Sequence, residues 1–487
     1  MERSYNITLK IIDILCFILY KEVMKKVYFI FVLFLMCLFF VGCTEECPST
    51  DGLVKEEDCP KCEVCEECTG KIDPEECEKC EVCDECQSTE GLIKPEDCEK
   101  CEECNKEELH KISLGIDLID ENLEIFEGKR VGLITNQTGV NSEFKSTIDI
   151  LYEKTNLTSL YAPEHGIRGS ANAGDSVGNE VDPVTKLPIY SLYGSTNKPT
   201  KKMLENVDVL CIDIQDVGAR FYTYIYTMAY AMEAAKENNI KFVVFDRPNP
   251  VSGNVVDGTI LDEKYSSFVG LYSIATRHGM TIGELAMYFN EEEGINCDLT
   301  VIKMKDWDRS YYMDDTTAPW IMPSPNMPTL DTAIVYTGTC IFEGTNISEG
   351  RGTTRPFELV GAPFIDAIKL ANALNDLNLP GVFFRSASFT PTTSKFQGKT
   401  CYGVQVHVTD RDSFSSVKTG LAMLEVIRTM YPNDFEILSA SSNKCMLNLL
   451  TGCSYIKEHK YSLEEQFEKI NADRDEFIKL REKYLLY

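Results

Sequence analysis

The chain has 487 residues, enough for more than one domain, and its 44% hydrophobic content is ordinary for a globular protein. Its formal net charge of −29 comes from 48 Lys and Arg against 77 Asp and Glu. Residues 44–109 carry 24 acidic and 7 basic side chains, a net of −17, which leaves about −12 on the rest of the chain. A nucleic-acid partner is not expected, because phosphate binding requires clustered Lys and Arg.

The N-terminal 43 residues have the pattern of a bacterial lipoprotein signal peptide. Met24-Lys-Lys is followed by an apolar run over residues 27–41 and then by Gly42-Cys43. The segment Phe40-Val-Gly-Cys43 resembles a lipobox, with Phe40 in place of the usual leucine. An uncleaved anchor is the alternative, although about 15 apolar residues are few for a membrane-spanning helix. We therefore predict translation from Met24 and a lipid on Cys43, which would anchor the protein at the extracytoplasmic face of the cell membrane.

Twelve of the 21 cysteines lie between Cys47 and Cys104. The pattern Cys-x-x-Cys-x-x-Cys-x-x-Cys occurs at residues 59–68, again at 77–86, and in part at 98–104. Zinc or an iron–sulfur cluster is one interpretation of these runs, and disulfides or exposed thiols outside the membrane are another. Internal repetition is typical of a spacer, and we predict that residues 44–109 form an acidic tether without chemistry of its own.

From about residue 110, apolar runs alternate with amphipathic stretches, which indicates βαβ units. Strands are predicted at residues 130–135, 157–161, 207–214 and 240–245, and a polar, turn-forming cluster follows each of them. The carboxyl ends of parallel strands share one edge of a sheet, and ligands bind there. The sequence therefore predicts an α/β fold with a site at this edge. The dinucleotide fingerprint is missing, so no nucleotide cofactor is expected.

A proline-rich passage, Pro319–Pro328, is incompatible with regular helix and ends the first unit. Beyond it we predict strands at residues 332–336 and 402–408, with helices between and after them. The last helix should begin at the capping box Ser462-x-x-Glu465. Five apolar side chains with helical spacing are assigned to the core: Phe467, Ile470, Phe477, Leu480 and Tyr484. The predicted domains are 1–43, 44–109, 110–328 and 329–487.

Two loops rich in Gly, Arg and Asn each contain one glutamate that could take part in catalysis. Glu164 lies in Tyr161–Arg168, and Glu349 lies in Asn346–Arg355. Loops of this composition pack poorly and hold polar ligands well. Two carboxylates far apart in sequence are what acid/base cleavage of a glycosidic bond requires. Their separation, which distinguishes retaining from inverting enzymes, is not fixed by the sequence.

Six polar motifs occur in one order over about residues 111–487 and together resemble the NamZ-type exo-β-N-acetylmuramidases. The resemblance implies a Rossmann-like α/β domain and a smaller α/β domain, with the active site in the cleft between them. It also implies removal of N-acetylmuramic acid from the non-reducing ends of peptidoglycan glycans. The resemblance does not extend to the cysteine-rich tether. The motifs are Leu133–Gly139, Ala162–Gly169, Asp213–Tyr224, Asp246–Pro250, Pro323–Pro328 and Gly344–Thr354.

By this resemblance Glu164 matches the family's motif glutamate and is predicted to be the general acid/base. A structural salt bridge to Arg168 is the alternative. Glu349 is the candidate second carboxylate, either a nucleophile or an activator of water. An ion pair with Arg351 or Arg355 would explain Glu349 equally well.

N-acetylmuramic acid carries a lactyl carboxylate that N-acetylglucosamine lacks, and its recognition should require a guanidinium. His165 is placed to bind substrate or to tune the pKa of Glu164. The arginines available for the carboxylate are Arg168, Arg220, Arg351 and Arg355. The predicted partners for sugar hydroxyl and amide groups are Asn136, Asp216, Tyr222, Asp246 and Asn326.

Other functions fit parts of the pattern. Asp213, Asp216 and Asp246 could form the Mg²⁺ site of a metal-dependent hydrolase, although a structural role at the strand end explains Asp213 as well. The loop Gly174–Gly178 fits Gly-x-Ser-x-Gly but lacks the strand–turn–helix context of a serine hydrolase. A non-catalytic, cell-wall-binding lipoprotein is a rival of another class. We predict a glycosidase without metal or cofactor that acts on peptidoglycan fragments in cell-wall turnover or recycling.

Overall fold

The computed structural model describes residues 109–167, 180–194, 196–439 and 444–487. Several predictions fall outside these residues: the lipid at Cys43, the cysteine repeats, Arg168 and the loop 174–178. In the part that is described, none of the helices combines the length and the apolar character needed to cross a membrane.

The strands of the described residues belong to two sheets and a hairpin. Their bounds are β1 (Arg130–Thr135), β2 (Asn156–Ala162), β3 (Glu180–Val181), β4 (Pro188–Ser191), β5 (Val209–Asp213), β6 (Lys241–Phe245), β7 (Asp257–Ile260), β8 (Ala275–Arg277), β9 (Leu299–Ile302), β10 (Leu359–Ala362), β11 (Val382–Phe389) and β12 (Cys401–Val408).

The helices of the same residues are mostly short and pack against the two sheets. Their bounds are α1 (Thr147–Lys154), α2 (Tyr224–Asn238), α3 (Ile282–Glu292), α4 (Leu330–Thr339), α5 (Ala367–Asn375), α6 (Ser416–Met430), α7 (Met446–Thr451) and α8 (Leu463–Arg481). Segments of 3₁₀-helix occur at Gly115–Ile125, Glu263–Tyr265, Met313–Asp315, Cys340–Gly344 and Glu482–Tyr484.

The larger sheet has the strand order β3-β4-β2-β1-β5-β6-β9. Its neighbouring strands are parallel except for β3 and β4 at one edge. Strands β1, β5 and β6 are apolar and almost completely buried, as expected for parallel strands covered on both faces. The four strands predicted before residue 250 are therefore confirmed, and so is the α/β fold.

Strand β1 lies in the middle of this sheet: β2 pairs with one of its edges, and β5, which comes later in the chain, pairs with the other. This reversal opens a crevice at the carboxyl ends of the strands, the usual ligand site of such sheets. Asn136, Glu164, Asp216 and Asp246 each follow one of these strands, as the sequence predicted.

The smaller sheet is antiparallel, in the order β10-β12-β11. The predicted strand at 402–408 is confirmed as β12, but the predicted strand at 332–336 is wrong. Those residues lie in helix α4, where the Thr329 side chain caps the backbone N–H of Thr332. The segment is rich in β-branched residues, but α4 is buried on nearly all sides, so tertiary packing overrides the local preference.

The C-terminal helix α8 begins as predicted, with the reciprocal capping box of Ser462 and Glu465. Of its predicted core residues, Ile470 and Phe477 are fully buried, and Tyr484 is buried just beyond the helix. Leu480 is largely exposed, so its assignment to the core is wrong.

Helices α4 and α6 cross at two glycines, Gly338 and Gly420. A Cβ on Gly338 would overlap the carbonyl oxygen of Ser416, and one on Gly420 would overlap the carbonyl of Gly338. The two backbones therefore touch directly. This contact fixes α4, which leads into the 3₁₀ segment Cys340–Gly344.

A buried ion pair holds the turns that follow β5 and β6 together. The Arg247 guanidinium contacts both carboxylate oxygens of Asp213, at 2.5 Å and 2.9 Å, and both side chains are almost completely buried. Thr147 Oγ1 also donates to this carboxylate. Asp213 thus has the structural role that the sequence allowed for.

Replacing Arg247 by alanine should lower the free energy of unfolding by about 3–5 kcal/mol, because it leaves the buried Asp213 carboxylate without its counter-ion. Arg130→Ala is the matched control, since its ion pair with Asp208 is exposed to solvent and should contribute much less to stability. Urea unfolding measures both. Equal losses in the two variants would contradict this interpretation.

Candidate active site

Glu164 lies in a tight turn directly after β2. The backbone N–H of Gly166 donates to the carbonyl of Pro163 at 3.1 Å, which closes the turn. His165 and Gly166 both have positive φ angles, +72° and +76°. A left-handed backbone is uncommon for histidine and often marks functional sites. Glu164 and His165 are mostly buried, and both line a pocket.

The Glu164 carboxylate is held by the beginning of helix α2. Thr223, the N-cap residue of that helix, donates a hydrogen bond from Oγ1 to Glu164 Oε2 at 2.8 Å. A helix N-terminus favours a neighbouring negative charge through its unpaired N–H groups. Helix α2 therefore fixes the position of this carboxylate at the pocket.

An aromatic wall, defined here as Tyr224, Tyr222, Tyr336 and Phe357, runs along the pocket. The ring centroids of successive members are 5.0 Å, 5.9 Å and 4.7 Å apart, and the rings meet edge to face. Burial raises the pKa of Tyr222, so its phenol stays protonated. That hydroxyl is buried and lies near the side chains of Ser324 and Tyr224.

Charged side chains adjoin the aromatic wall at Phe357. Arg351 Nη2 donates to Glu343 Oε1 at 2.6 Å, and the Arg351 guanidinium lies 5.0 Å above the Phe357 ring. Burial lowers the pKa of Arg351, but Glu343 and then Glu349 raise it, and the net result is a raised pKa. The residues that line the pocket are Glu164, His165, Phe221, Tyr222, Thr223, Tyr224, Val269, Ser324, Met327, Tyr336, Cys340, Glu343, Arg351, Phe357 and Leu450.

Glu349 does not line this pocket. Its side chain is 2% exposed and lies between Lys395 Nζ, 2.9 Å from Oε2, and Arg351 Nε, 3.5 Å from Oε1. The ion pair considered from the sequence is therefore present, with Arg351 as predicted and with Lys395 in addition. Arg355 instead contacts Glu358 at 3.3 Å.

Two predicted arginines are not in the pocket. Arg220 is completely buried, and its guanidinium donates to the backbone carbonyls of Thr259, Ile274 and Leu450. In this position it supports the fold and does not meet a substrate carboxylate. Arg355 lies about half-exposed on another groove, along the smaller sheet.

Four predicted polar residues are likewise not among those that line the pocket. Asn136 Oδ1 accepts from the N–H and the hydroxyl of Thr138, which closes the turn after β1. Asp216 Oδ2 accepts from Gly218 N–H at 2.7 Å and lies 3.5 Å from a buried histidine, His278. Asn326 is half-buried beside the lining residues Ser324 and Met327. The fourth is Asp246.

Asp246 lies beneath the N-terminus of helix α3 and is completely buried. It accepts hydrogen bonds from the Thr281 and Tyr487 hydroxyls, at 2.9 Å and 2.6 Å, and from Gly283 N–H at 2.7 Å. Burial raises the pKa of this carboxyl to about 7. These contacts explain Asp246 as a structural residue that joins α3 to the C-terminus.

The aspartates considered as a metal site do not form one. The Asp213 carboxylate is paired with the Arg247 guanidinium, and the Asp246 carboxylate accepts hydrogen bonds from hydroxyl and N–H groups. Within the described ranges, no group of three or more His, Cys, Asp or Glu side chains has the arrangement of a metal site. The metal-dependent hydrolase is therefore not favoured.

Several pocket residues were missed from the sequence, although some lay inside the motifs that were recognised. Thr223 and Tyr224 belong to Asp213–Tyr224, and Glu343 directly precedes the Gly344 motif. A motif shows that a segment is important, but it does not indicate which of its side chains line the pocket. Tyr336, Cys340, Phe357 and Leu450 had no such signal.

The fold and the pocket define an α/β protein with a carboxylate site at the ends of parallel strands. The model of the N-terminal part of the exo-β-N-acetylmuramidase NamZ family matches residues 131–331, and the model of its C-terminal part matches residues 334–487. The chain belongs to the exo-β-N-acetylmuramidase NamZ family. A relative in Bacillus subtilis strain 168, the peptidoglycan β-N-acetylmuramidase NamZ, is 56% identical over 383 residues, which are 77% of this chain and 92% of the relative.

Two solved structures of DUF1343 family proteins from Bacteroides fragilis NCTC 9343 have similar folds. The first is 40% identical in sequence and has a TM-score of 0.72. The alignment covers 78% of this chain and 99% of the Bacteroides chain. The other is 32% identical with a TM-score of 0.60, and the alignment covers 77% of this chain and 99% of the other.

The raised pKa of Asp246 predicts a pH-dependent stability. The unfolded chain ionises this group near 3.8 and the folded chain only near 7, so the folded state binds the extra proton between these values. The contribution of Asp246 to stability is therefore full below about pH 4 and is lost as the pH rises to about 7, by up to about 4 kcal/mol.

Asp246→Asn should remove this slope, whatever constant offset it adds to the free energy of unfolding. Urea unfolding between about pH 4 and pH 7 measures the slope. Asp376→Asn, at an exposed position, is the control and should keep the wild-type slope. Parallel stability curves for the wild type and Asp246→Asn would contradict the assignment.

Proposed function

We propose that this chain is an exo-β-N-acetylmuramidase that hydrolyses terminal, non-reducing N-acetylmuramic acid from peptidoglycan fragments during cell-wall turnover or recycling. Membership of the NamZ family over both halves of the chain supports the activity. So does the 56% identity to a peptidoglycan β-N-acetylmuramidase. The observation that carries the proposal is a single pocket in which Glu164, held by Thr223, lies next to an aromatic wall.

Glu164 is the proposed general acid/base. As the bond between the sugar's anomeric carbon and the glycosidic oxygen breaks, Glu164 gives its proton to that oxygen. A water molecule then adds through its oxygen to the anomeric carbon and gives a proton to the Glu164 carboxylate, which restores the acid. The transition state has oxocarbenium character, so positive charge develops on the sugar ring. The pocket combines aromatic surface with a few polar groups, the usual composition of a small-molecule site.

Three more residues of the pocket are proposed to bind the sugar. Arg351 has five N–H donors, and its bonds to Glu343 use Nε and Nη2, so Nη1 remains for the lactyl carboxylate. Tyr222, which lines the pocket, is proposed to contact a hydroxyl or amide group of the sugar. His165 lies next to Glu164 and contributes to the same lining.

The location of the enzyme is a separate proposal and rests on the sequence alone. A lipid on Cys43 would hold the chain at the extracytoplasmic face of the membrane, and the acidic tether 44–109 would separate the catalytic part from the lipid. We also propose the division into a Rossmann-like domain, 110–328, and a smaller α/β domain, 329–487. The limits of the two family models near residues 331 and 334 support this boundary.

Glu164→Gln should abolish release of N-acetylmuramic acid from the disaccharide N-acetylmuramic acid–N-acetylglucosamine, because glutamine has no proton to give. We expect a loss of roughly 10²–10⁴-fold in kcat for the removal of a general acid. Mass spectrometry of the products measures it. EDTA should leave the wild-type rate unchanged, and Glu127→Gln, at an exposed position, should be fully active. No release by the wild-type protein would refute the proposed function.

Thr223→Val should lower kcat by about ten- to a hundredfold, because it removes a hydrogen bond to the catalytic carboxylate. Thr223→Ser keeps the hydroxyl and is the matched variant, so it should retain most of the wild-type rate. Steady-state kinetics with a chromogenic β-N-acetylmuraminide separates kcat from KM. Equal rates for the valine and serine variants would show that this hydroxyl does not position Glu164.

A further inference from the structure

The pocket contains a second glutamate, Glu343, besides Glu164. It lies in the 3₁₀ segment Cys340–Gly344, which follows α4, and its side chain is 26% exposed. The exposed fraction of the Glu349 side chain, in contrast, is only 2%. Glu343 lines the same pocket as Glu164, whereas Glu349 does not. Of these two glutamates, Glu343 is therefore the one that a bound sugar can reach.

Glu349 is fully engaged by its neighbours. Lys395 Nζ donates to Glu349 Oε2 at 2.9 Å and to the carbonyls of Phe342 and Ile347 at 2.7 Å and 2.9 Å. An ammonium group has three N–H donors, so these bonds use all of them. Catalysis through Glu349 would leave this partly buried lysine without its counter-ion, at a cost in free energy.

Glu343, in contrast, has one oxygen left over. Both of its hydrogen bonds come from Arg351, from Nη2 at 2.6 Å and from Nε at 3.2 Å, and both are made to Oε1. No described residue donates a hydrogen bond to Oε2. Arg351 therefore orients the carboxylate through one oxygen and leaves the other for a ligand.

The charges of this group balance without a substrate. Glu343, Glu349, Arg351 and Lys395 form a connected set of two carboxylates and two cations. Lys395 compensates the buried Glu349, and Arg351 bridges Glu349 and Glu343.

We propose that Glu343, and not Glu349, is the second carboxylate of the reaction. Its free oxygen Oε2 faces the sugar and stabilises the positive charge that develops at the anomeric carbon as Glu164 protonates the leaving oxygen. Preorganised groups of opposite charge contribute strongly in such transition states. The assignment rests on the proposed glycosidase function.

The test compares Glu343→Gln with Glu349→Gln in the full chain, with the same disaccharide and chromogenic substrate. Glu343→Gln removes the charge but keeps the shape, and should lower kcat by about a hundredfold or more with little change in KM. Glu343→Asp keeps the charge on a shorter side chain and should recover part of the rate. Binding of free N-acetylmuramic acid, measured by calorimetry, shows that each variant is folded.

Glu349→Gln should have a lower melting temperature, because it weakens the compensation of Lys395, but the folded protein should keep kcat within about tenfold of wild type. A larger loss of kcat in Glu349→Gln than in Glu343→Gln would overturn the assignment. So would Glu343→Gln retaining more than about a tenth of the wild-type kcat. An inactive wild type would instead refute the proposed function itself.

Discussion

The contact between Lys395 and the buried Glu349 carboxylate fixes the chain segment that brings Glu343 to the pocket. Lys395 binds the Glu349 carboxylate and two backbone carbonyls, at positions 342 and 347. One ammonium group thus fixes three points of the segment that contains Glu343 and ends near Arg351. Removing one partner of such a pair costs about 3–5 kcal/mol, much more than an exposed pair contributes.

The same physical rule governs the strand ends of the larger sheet. Several polar side chains collect there, but most of them are used to satisfy one another: Asp213 binds Arg247, Arg220 binds carbonyls, and Asp246 accepts from three groups around α3. Buried polar groups without partners are costly, so such pairing is expected. Glu164, in contrast, lines the pocket while the Thr223 hydroxyl holds its carboxylate.

The sequence predicted the parallel strands and the turn at Glu164, because buried strands and polar turns are local patterns. It failed where partners are far apart in the chain. Lys395 is 46 residues from Glu349, and no local pattern links them. The prediction of a strand at 332–336 was wrong because a helix that is buried on nearly all sides has no polar face. Its sequence therefore lacks the alternation of apolar and polar residues, with a period of about 3.6, that identifies a helix. Among the arginines, only burial distinguishes Arg220 from Arg351, and burial is a property of the fold.

The crossing of α4 and α6 through Gly338 and Gly420 has a consequence for how this family can diverge. Where side chains separate two helices, one substitution can be compensated by another of complementary size. Here the backbones touch, so no change of side chain at either position can be compensated in this way. Drift in this region should spare both glycines and alter the residues around them. Tyr336 and the turn with Glu343 would then keep their place while the residues around them change.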